Sequence, residues 1–268
     1  MRTLVHLSDL HFGRVNPAIL DPLVTFIREI SPALVAVSGD LTQRARTAEY
    51  LAARAFLQRI PFPQIVVPGN HDVPLHNVVS RFVRSLDRYR RYISDDLQPF
   101  YADEELVVVG VNTARAFTWK DGRINRFQLA KLRASLKPIG NDRTKIVVTH
   151  HPFDLPTGTH GQVVGRSRLA IKTLAECGVD MLLAGHFHIA DVGSTATRYN
   201  LPGYSALIVS SGTSTSTRGR GQPNSLNVIR INRPRVTIER HTWNAEANGF
   251  ERFSTEAFQK QSDGWIRE

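Results

Sequence analysis

The sequence predicts an α/β fold, and three observations carry the prediction. Short apolar runs alternate with segments of helical periodicity through the first two thirds of the chain, as in a sheet covered on both faces. The runs at residues 4–7, 34–37, 65–67, 146–148 and 181–184 read as buried strands. Each of these five runs is followed within a few residues by groups able to hold a metal. In order these are Asp9-Leu10-His11, Gly39-Asp40, Gly69-Asn70-His71-Asp72, His150-His151 and Gly185-His186-Phe187-His188. In open α/β sheets the rim beyond the carboxyl ends of the strands is where ligands bind, so five such clusters in phase point to one site.

The other elements follow in chain order. Asn16 reads as an N-cap with Pro17 at the first helical position; Ile19, Leu20, Leu23, Val24 and Ile27 then recur until Ser31-Pro32 stops the helix. Thr47 opens a second helix that ends at Ile60-Pro61. A third is expected over 77–93, with Val79, Phe82, Leu86, Tyr89 and Ile93 on its apolar side. Residues 107–111 read as a strand, 126–136 as a helix, and 168–177 as a helix stopped by Gly178. Beyond residue 207 the helical period fades. The runs 207–209, 226–231 and 235–239 read as an antiparallel meander in a second sheet, and 210–221, rich in Ser, Thr, Gly and Arg, as a flexible loop. With neither a long linker nor an internal repeat, a single domain over 1–268 is expected.

Bulk properties narrow the class. Apolar content of 41% and charged content of 22% are those of an ordinary globular protein. Apolar runs of about six residues fall far short of the roughly 20 that span a bilayer. The chain enters a strand at once, without the regions of a signal peptide, and its single cysteine, Cys177, cannot form an internal disulfide. Both features predict a cytoplasmic protein, with Cys177 as a packed core residue. The net charge is +10, and arginine supplies 28 of the 34 basic residues. That charge suits an anionic substrate without selecting one, and a solvated arginine-rich surface explains it equally well.

The donor set points to chemistry. Asp9, His11, Asp40, Asn70, His150, His186 and His188 offer carboxylate, amide and imidazole donors and no thiolate. Such ligands suit Mn, Fe or Zn, and are too rich in nitrogen for a calcium or magnesium cage. Seven ligands exceed what one ion with an open position could use, whereas two ions sharing a carboxylate account for them. Paired ions roughly 3.5–4 Å apart serve in-line displacement at phosphorus and supply hydroxide near neutral pH.

The motifs D-x-H, G-D, G-N-H-D, H and G-H-x-H, all present and in order, resemble those of the calcineurin-like metallophosphoesterases. The resemblance covers residues 4–188 through motifs and the remainder through layout. It implies a four-layer αββα sandwich with two mixed sheets and a dinuclear site at the strand ends. It also implies that Asp9, His11, Asp40 and His188 hold one ion and that Asp40, Asn70, His150 and His186 hold the other, with Asp40 shared. His71 would contact the phosphate and protonate or stabilise the leaving oxygen, and Asp72 would orient His71 from behind. His151, next to a ligand, is expected to point away from the ions or toward substrate. His6 is expected to be a packed strand residue, and His160 lies in a loop expected to overhang the site.

The text around the motifs, Gly39-Asp40-Leu41-Thr42-Gln43-Arg44, His150-His151-Pro152 and Ser210-Ser211-Gly212-Thr213, resembles the cyclic-nucleotide and glycerophosphodiester phosphodiesterase branch. Hydrolysis of a small anionic phosphodiester such as a cyclic nucleotide is therefore expected. A nuclease and a pyrophosphohydrolase of a nucleotide-linked lipid precursor (UDP-diacylglucosamine type) share the five motifs and stand as alternatives. So does a non-catalytic scaffold, which loss of a ligand or of His71 would mark; neither is lost here. Arg81, Arg84, Arg88 and Arg91 form a basic stripe open to four readings: a solvated face, a polyanion groove, peripheral contact with acidic lipid, or a homo-oligomer interface. Arg166 and Arg168 are candidates to clamp an anionic group, or to cap a helix and pair at the surface.

Overall fold

A computed structural model describes residues 1–74, 85–116, 121–219 and 221–268. Among the described residues, thirteen strands form two mixed sheets. The first runs in the order β13-β12-β11-β10-β1-β2-β3. Its strands are β1 (Arg2–Leu7), β2 (Leu34–Ser38), β3 (Gln64–Val67), β10 (Ser225–Asn232), β11 (Arg235–Asn244), β12 (Gly249–Gln261) and β13 (Gly264–Arg267). The second runs β4-β5-β6-β7-β9-β8, from β4 (Phe100–Ala102), β5 (Leu106–Gly110), β6 (Thr144–Val148), β7 (Met181–Ala184), β8 (Asp191–Ser194) and β9 (Leu207–Ser210). β1, β2 and β3 are mutually parallel, as are β5, β6, β7 and β9.

The apolar runs are continuous rather than alternating because both faces of each sheet are buried. Leu4, Leu34, Ala36, Ile65 and Val67 of the first sheet share one core with Leu106, Val108, Ile146, Val148, Met181, Leu183 and Val209 of the second. Their neighbours Val5, Leu7, Val35 and Val37 point the other way, onto α1 (Pro17–Ile30) and α2 (Thr47–Gln58). Tyr89 of α3 (Asp87–Tyr92) completes that layer. Val107, Val109, Val147, Leu182 and Ile208 face α4 (Arg126–Leu136) and α5 (Ser167–Glu176) in the same manner. The result is the four-layer αββα arrangement. A short α6 (Thr195–Tyr199) follows β8. No helix among the described residues is long and apolar enough to cross a membrane.

Most helix limits follow the sequence signals. The Asn16 side chain accepts from Ala18 N, Ser31 closes α1 in the left-handed conformation, and Gly178 follows α5 at φ +65°. Of the helix expected over 77–93, residues 77–84 lie outside the described residues, and α3 is the part seen.

The late strands depart from expectation. β10 to β13 do form a meander, but it extends the first sheet through antiparallel pairing of β10 with β1. The run at 207–209 is instead a parallel strand of the other sheet, seated beside β7. Local pattern shows a strand but not its partner, which only long-range packing selects. β12 escaped notice because, at the exposed end of the sheet, most of its side chains are polar and half-buried or exposed.

Candidate metal centre

The carboxyl ends of β1, β2, β3, β6 and β7 meet at one place and bring all seven predicted donors together. His11 Nε2 and His188 Nε2 lie 3.1 Å apart, and Asp9 Oδ1 lies 3.2 Å from His188 Nε2 and 3.6 Å from His11 Nε2. On the other side, Asn70 Oδ1 is 3.1 Å from His150 Nε2 and 3.0 Å from His186 Nδ1, and these two nitrogens are 3.3 Å apart. Asp40 Oδ2 lies between the groups, 3.4 Å from His150 Nε2 and 3.7 Å from His11 Nε2.

These separations suit a cation better than hydrogen bonds. Donor atoms bonded to a common metal at about 2.0–2.2 Å stand roughly 3.0–3.5 Å from one another. Asp9 Oδ1 is buried and receives no hydrogen bond despite the two imidazoles beside it. Asp9, His11 and His188 form one group that could hold an ion, and Asp9, Asp40 and His150 another.

The motif glycines explain how five loops come this close. A methyl on Gly39 would overlap the His150 ring, one on Gly69 would overlap Asp40, and one on Gly185 would overlap Ser8 and Asp9. Each glycine thus makes room for a ligand from a different motif. Backbone geometry adds to the cost of the site: Asp9, His11, Asp40, His186 and His188 all have φ between 49° and 76°. Left-handed Asp and His are tolerated, at on the order of 1–3 kcal/mol each, only where the surroundings over-determine them.

Hydrogen bonds to carbonyls settle which imidazole nitrogen faces the site. His150 Nδ1–H donates to Ser38 O (2.8 Å) and His188 Nδ1–H to Arg218 O (3.0 Å), which leaves each Nε2 as a lone-pair donor. Asp9 Oδ2 accepts from Ser8 Oγ (2.6 Å) and His186 N (3.0 Å). Burial alone would raise the Asp9 carboxyl, but the charge of His188 and the close approach of the His11 and His150 rings outweigh it and hold it well below the usual range. Burial depresses the His150 imidazolium, yet the Asp40 carboxylate more than offsets this and lifts it to about 9. His186 goes to about 3 because burial and the charge of His150 act together.

His71 stands next to the donors. Its backbone N–H donates to Asp40 Oδ1 (2.8 Å) and its ring meets that of His11 at 4.9 Å. Its Nδ1–H donates to Gln43 O (2.8 Å), so Nε2 is the ring atom left to face the open side, 3.2 Å from Arg218 Nη1. Asp72 does not orient this ring. Its carboxylate is consumed by backbone donors, Leu41 N and Gly69 N on Oδ2 and Thr42 N on Oδ1, with Thr42 Oγ1 also on Oδ1. Asp72 therefore ties the Asp40 loop to the Asn70 turn, and the Gln43 carbonyl sets the direction of His71. Burial and the Asp40 charge push the Asp72 carboxyl up to about 6, against the pull of those backbone donors.

The segment after β9 is not the loose loop its composition suggests. Residues 211–216 are buried. Thr213 Oγ1 donates to Asp9 O and Thr215 Oγ1 to Leu10 O, each at 2.7 Å, while Ser214 N donates to Ser8 O at 2.9 Å. Its hydroxyls satisfy the backbone of the Asp9 loop, so small polar residues here mark a tightly bonded neighbour of the site. Of the remaining candidates, His151 does not turn away from the donors as expected: it is buried, with Nδ1 2.7 Å from Thr113 Oγ1 and its ring 4.7 Å from that of His186, and with His150 and His186 it forms a third group that could hold an ion. His6 is fully buried against Ser38 Oγ, as expected of a core residue. His160, Arg166 and Arg168 are exposed. In the stripe, Arg88 donates to Ala45 O and Arg91 lies over the Tyr92 ring, while Arg81 and Arg84 lie outside the described residues.

The chain is similar to known proteins. A glycerophosphodiester phosphodiesterase, GpdQ, of Enterobacter lignolyticus is 30% identical over 174 residues, 58% of this chain and 58% of that protein. The chain thus matches less than two thirds of that relative's length. The purple acid phosphatase PPD1 of yellow lupin seeds superposes on 96% of the chain and 53% of its own, with a TM-score of 0.73 at 12% identity. Vps29 of Chaetomium thermophilum does so over 97% of this chain and 98% of its own, with a TM-score of 0.52 at 12% identity. At such identities the two structures speak for the fold alone. Residues 2–190, which contain every donor named above, match the calcineurin-like phosphoesterase family, and the chain belongs to that family.

Proposed function

We propose that this protein is a dinuclear metal-dependent phosphodiesterase acting on a small phosphodiester, such as a cyclic nucleotide or a glycerophosphodiester. The observation that carries the reading is the position of Asp40 Oδ2 between two groups of donors, with His71 held beside them by the same carboxylate. The donor set suits Mn, Fe or Zn. Two such ions, when bound, would supply Lewis-acid charge to the phosphate and a nucleophile from water at neutral pH.

The chain's own residues account for the rest. Asp9, His11 and His188 hold one side of the phosphate-binding region, and Asn70, His150 and His186 the other. Ser38 O and Arg218 O keep His150 and His188 in the ligating tautomer. With Nδ1–H committed to Gln43 O, His71 Nε2 is the atom that meets the leaving oxygen, and once protonated there it gives that oxygen a proton or a hydrogen bond. The glycerophosphodiester substrate is suggested by the name of the GpdQ relative, and the cyclic nucleotide by the text around the motifs.

The test is a turnover screen of metal-loaded protein. It compares bis(4-nitrophenyl) phosphate, 4-nitrophenyl phosphate, cyclic nucleotides, glycerophosphodiesters, single-stranded DNA and a nucleotide-linked lipid. Diesters of low mass should be preferred. A clear preference for the monoester, the DNA or the lipid would replace this reading with a phosphatase, nuclease or pyrophosphohydrolase.

A further inference from the structure

We propose that Arg218 contacts the substrate phosphate, as a partner of His71 on the open side of the metal donors. The inference rests on the phosphoester reading above. The backbone of Arg218 is locked to the site: its carbonyl accepts from His188 Nδ1 (3.0 Å) and its N–H donates to Ser216 Oγ (3.1 Å). One residue earlier, Thr217 N donates to Arg14 O at 2.8 Å. From this anchor the half-buried side chain turns back over the site, with Nη1 3.2 Å from His71 Nε2 and 3.3 Å from Gln43 Oε1.

Both acceptors are neutral in this arrangement. The Gln43 amide carries no charge, and His71, whose Nδ1–H is given to a carbonyl, can accept at Nε2 only as the uncharged ring. Among the described residues no carboxylate pairs with Arg218, and its Nε and Nη2 have no hydrogen-bond partner. A half-buried guanidinium with an open fork is well matched to the two non-bridging oxygens of a phosphodiester, which share one negative charge. Lysine would keep the charge and lose the fork. Because Arg218 and His71 Nε2 are within hydrogen-bond distance of each other, a phosphate taken by one is within reach of the other.

The experiment measures binding of inorganic phosphate to zinc-loaded protein by calorimetry, with turnover recorded in parallel. Arg218→Gln should keep its zinc and weaken phosphate binding about 10- to 100-fold, as expected for one charge-assisted contact; Arg218→Lys should fall between. The same loss should persist when Arg218→Gln is placed in a His71→Ala background. Unchanged affinity in Arg218→Gln, or no phosphate binding by the wild type, would overturn the proposal. A loss that disappears in the His71→Ala background would make Arg218 a support for His71 only. If Arg218→Gln fails to load zinc, wild-type affinity in Arg218→Lys would exclude the bidentate contact. Phosphate binding through Arg218 without turnover of any ester would instead sink the phosphodiesterase reading alone.

Discussion

At the scale of single residues, Asp40 has the most consequences. One carboxylate oxygen lies between two sets of donors and the other holds the backbone of His71. Asp40→Ala is expected to lose both ions, whereas His188→Ala should mainly weaken one. Metal analysis after dialysis checks this; one tightly held ion in the wild type that survives Asp40→Ala would refute it. His71 lies outside the donor groups, its ring 4.9 Å from that of His11. His71→Ala should retain metal and fold while turnover drops on the order of 10²–10⁴-fold. The deficit should be smaller for a nitrophenolate leaving group than for an alkoxide, since the better leaving group needs less help from an acid. Equal deficits for the two would argue against that role.

At the scale of elements, the site is an interlock of loops. Gly39, Gly69 and Gly185 each leave space that a side chain from another motif fills. Gly69→Ala is therefore expected to displace Asp40, abolish tight metal binding and destabilise the protein by more than about 2 kcal/mol. Thermal melts with and without metal read both effects, and a variant that binds metal normally would show the contact to be compliant. The segment 211–216 contributes differently, by giving the Asp9 loop its hydrogen-bond acceptors and donors from buried hydroxyls. In α3, Arg88 is occupied with the Ala45 carbonyl and Arg91 with the Tyr92 ring, which assigns these two arginines of the stripe local structural contacts.

At the scale of the molecule, each of the two donor groups takes side chains from both sheets, Asp9 and His11 meeting His188 and Asn70 meeting His150 and His186, so metal and fold should be thermodynamically linked. Ions that bind only the native state raise the melting temperature in proportion to the logarithm of their concentration. Linkage to pH follows from His150, whose imidazolium persists to about pH 9 beside Asp40 in the metal-free chain. Below that pH a metal must displace the proton; above it there is none to displace. Apparent affinity should therefore rise with pH, by up to about tenfold per unit, and flatten past pH 9. Calorimetry in buffers of different ionisation enthalpy should show proton release at pH 7, and an affinity independent of pH between 6.5 and 8.5 would contradict the assignment.

Much of this was legible along the chain because it depends on local rules. Buried strands appear as continuous apolar runs, Asn16-Pro17 and Gly178 bound helices through capping geometry, and the donors follow strand ends where a parallel sheet exposes its ligand-binding rim. The same logic singled out the seven side chains that the fold brings together, and the motif resemblance added His71 beside them. What only the tertiary structure decided is pairing at long range. It set β9 beside β7 and the late meander beside β1, turned a Ser- and Thr-rich stretch into a buried brace, gave Asp72 to backbone amides and aimed Arg218 at His71. Each of those outcomes depends on which distant group offers the better hydrogen bond or apolar surface. A residue type and its neighbours state what a side chain can do, whereas the folded chain determines which partner it meets.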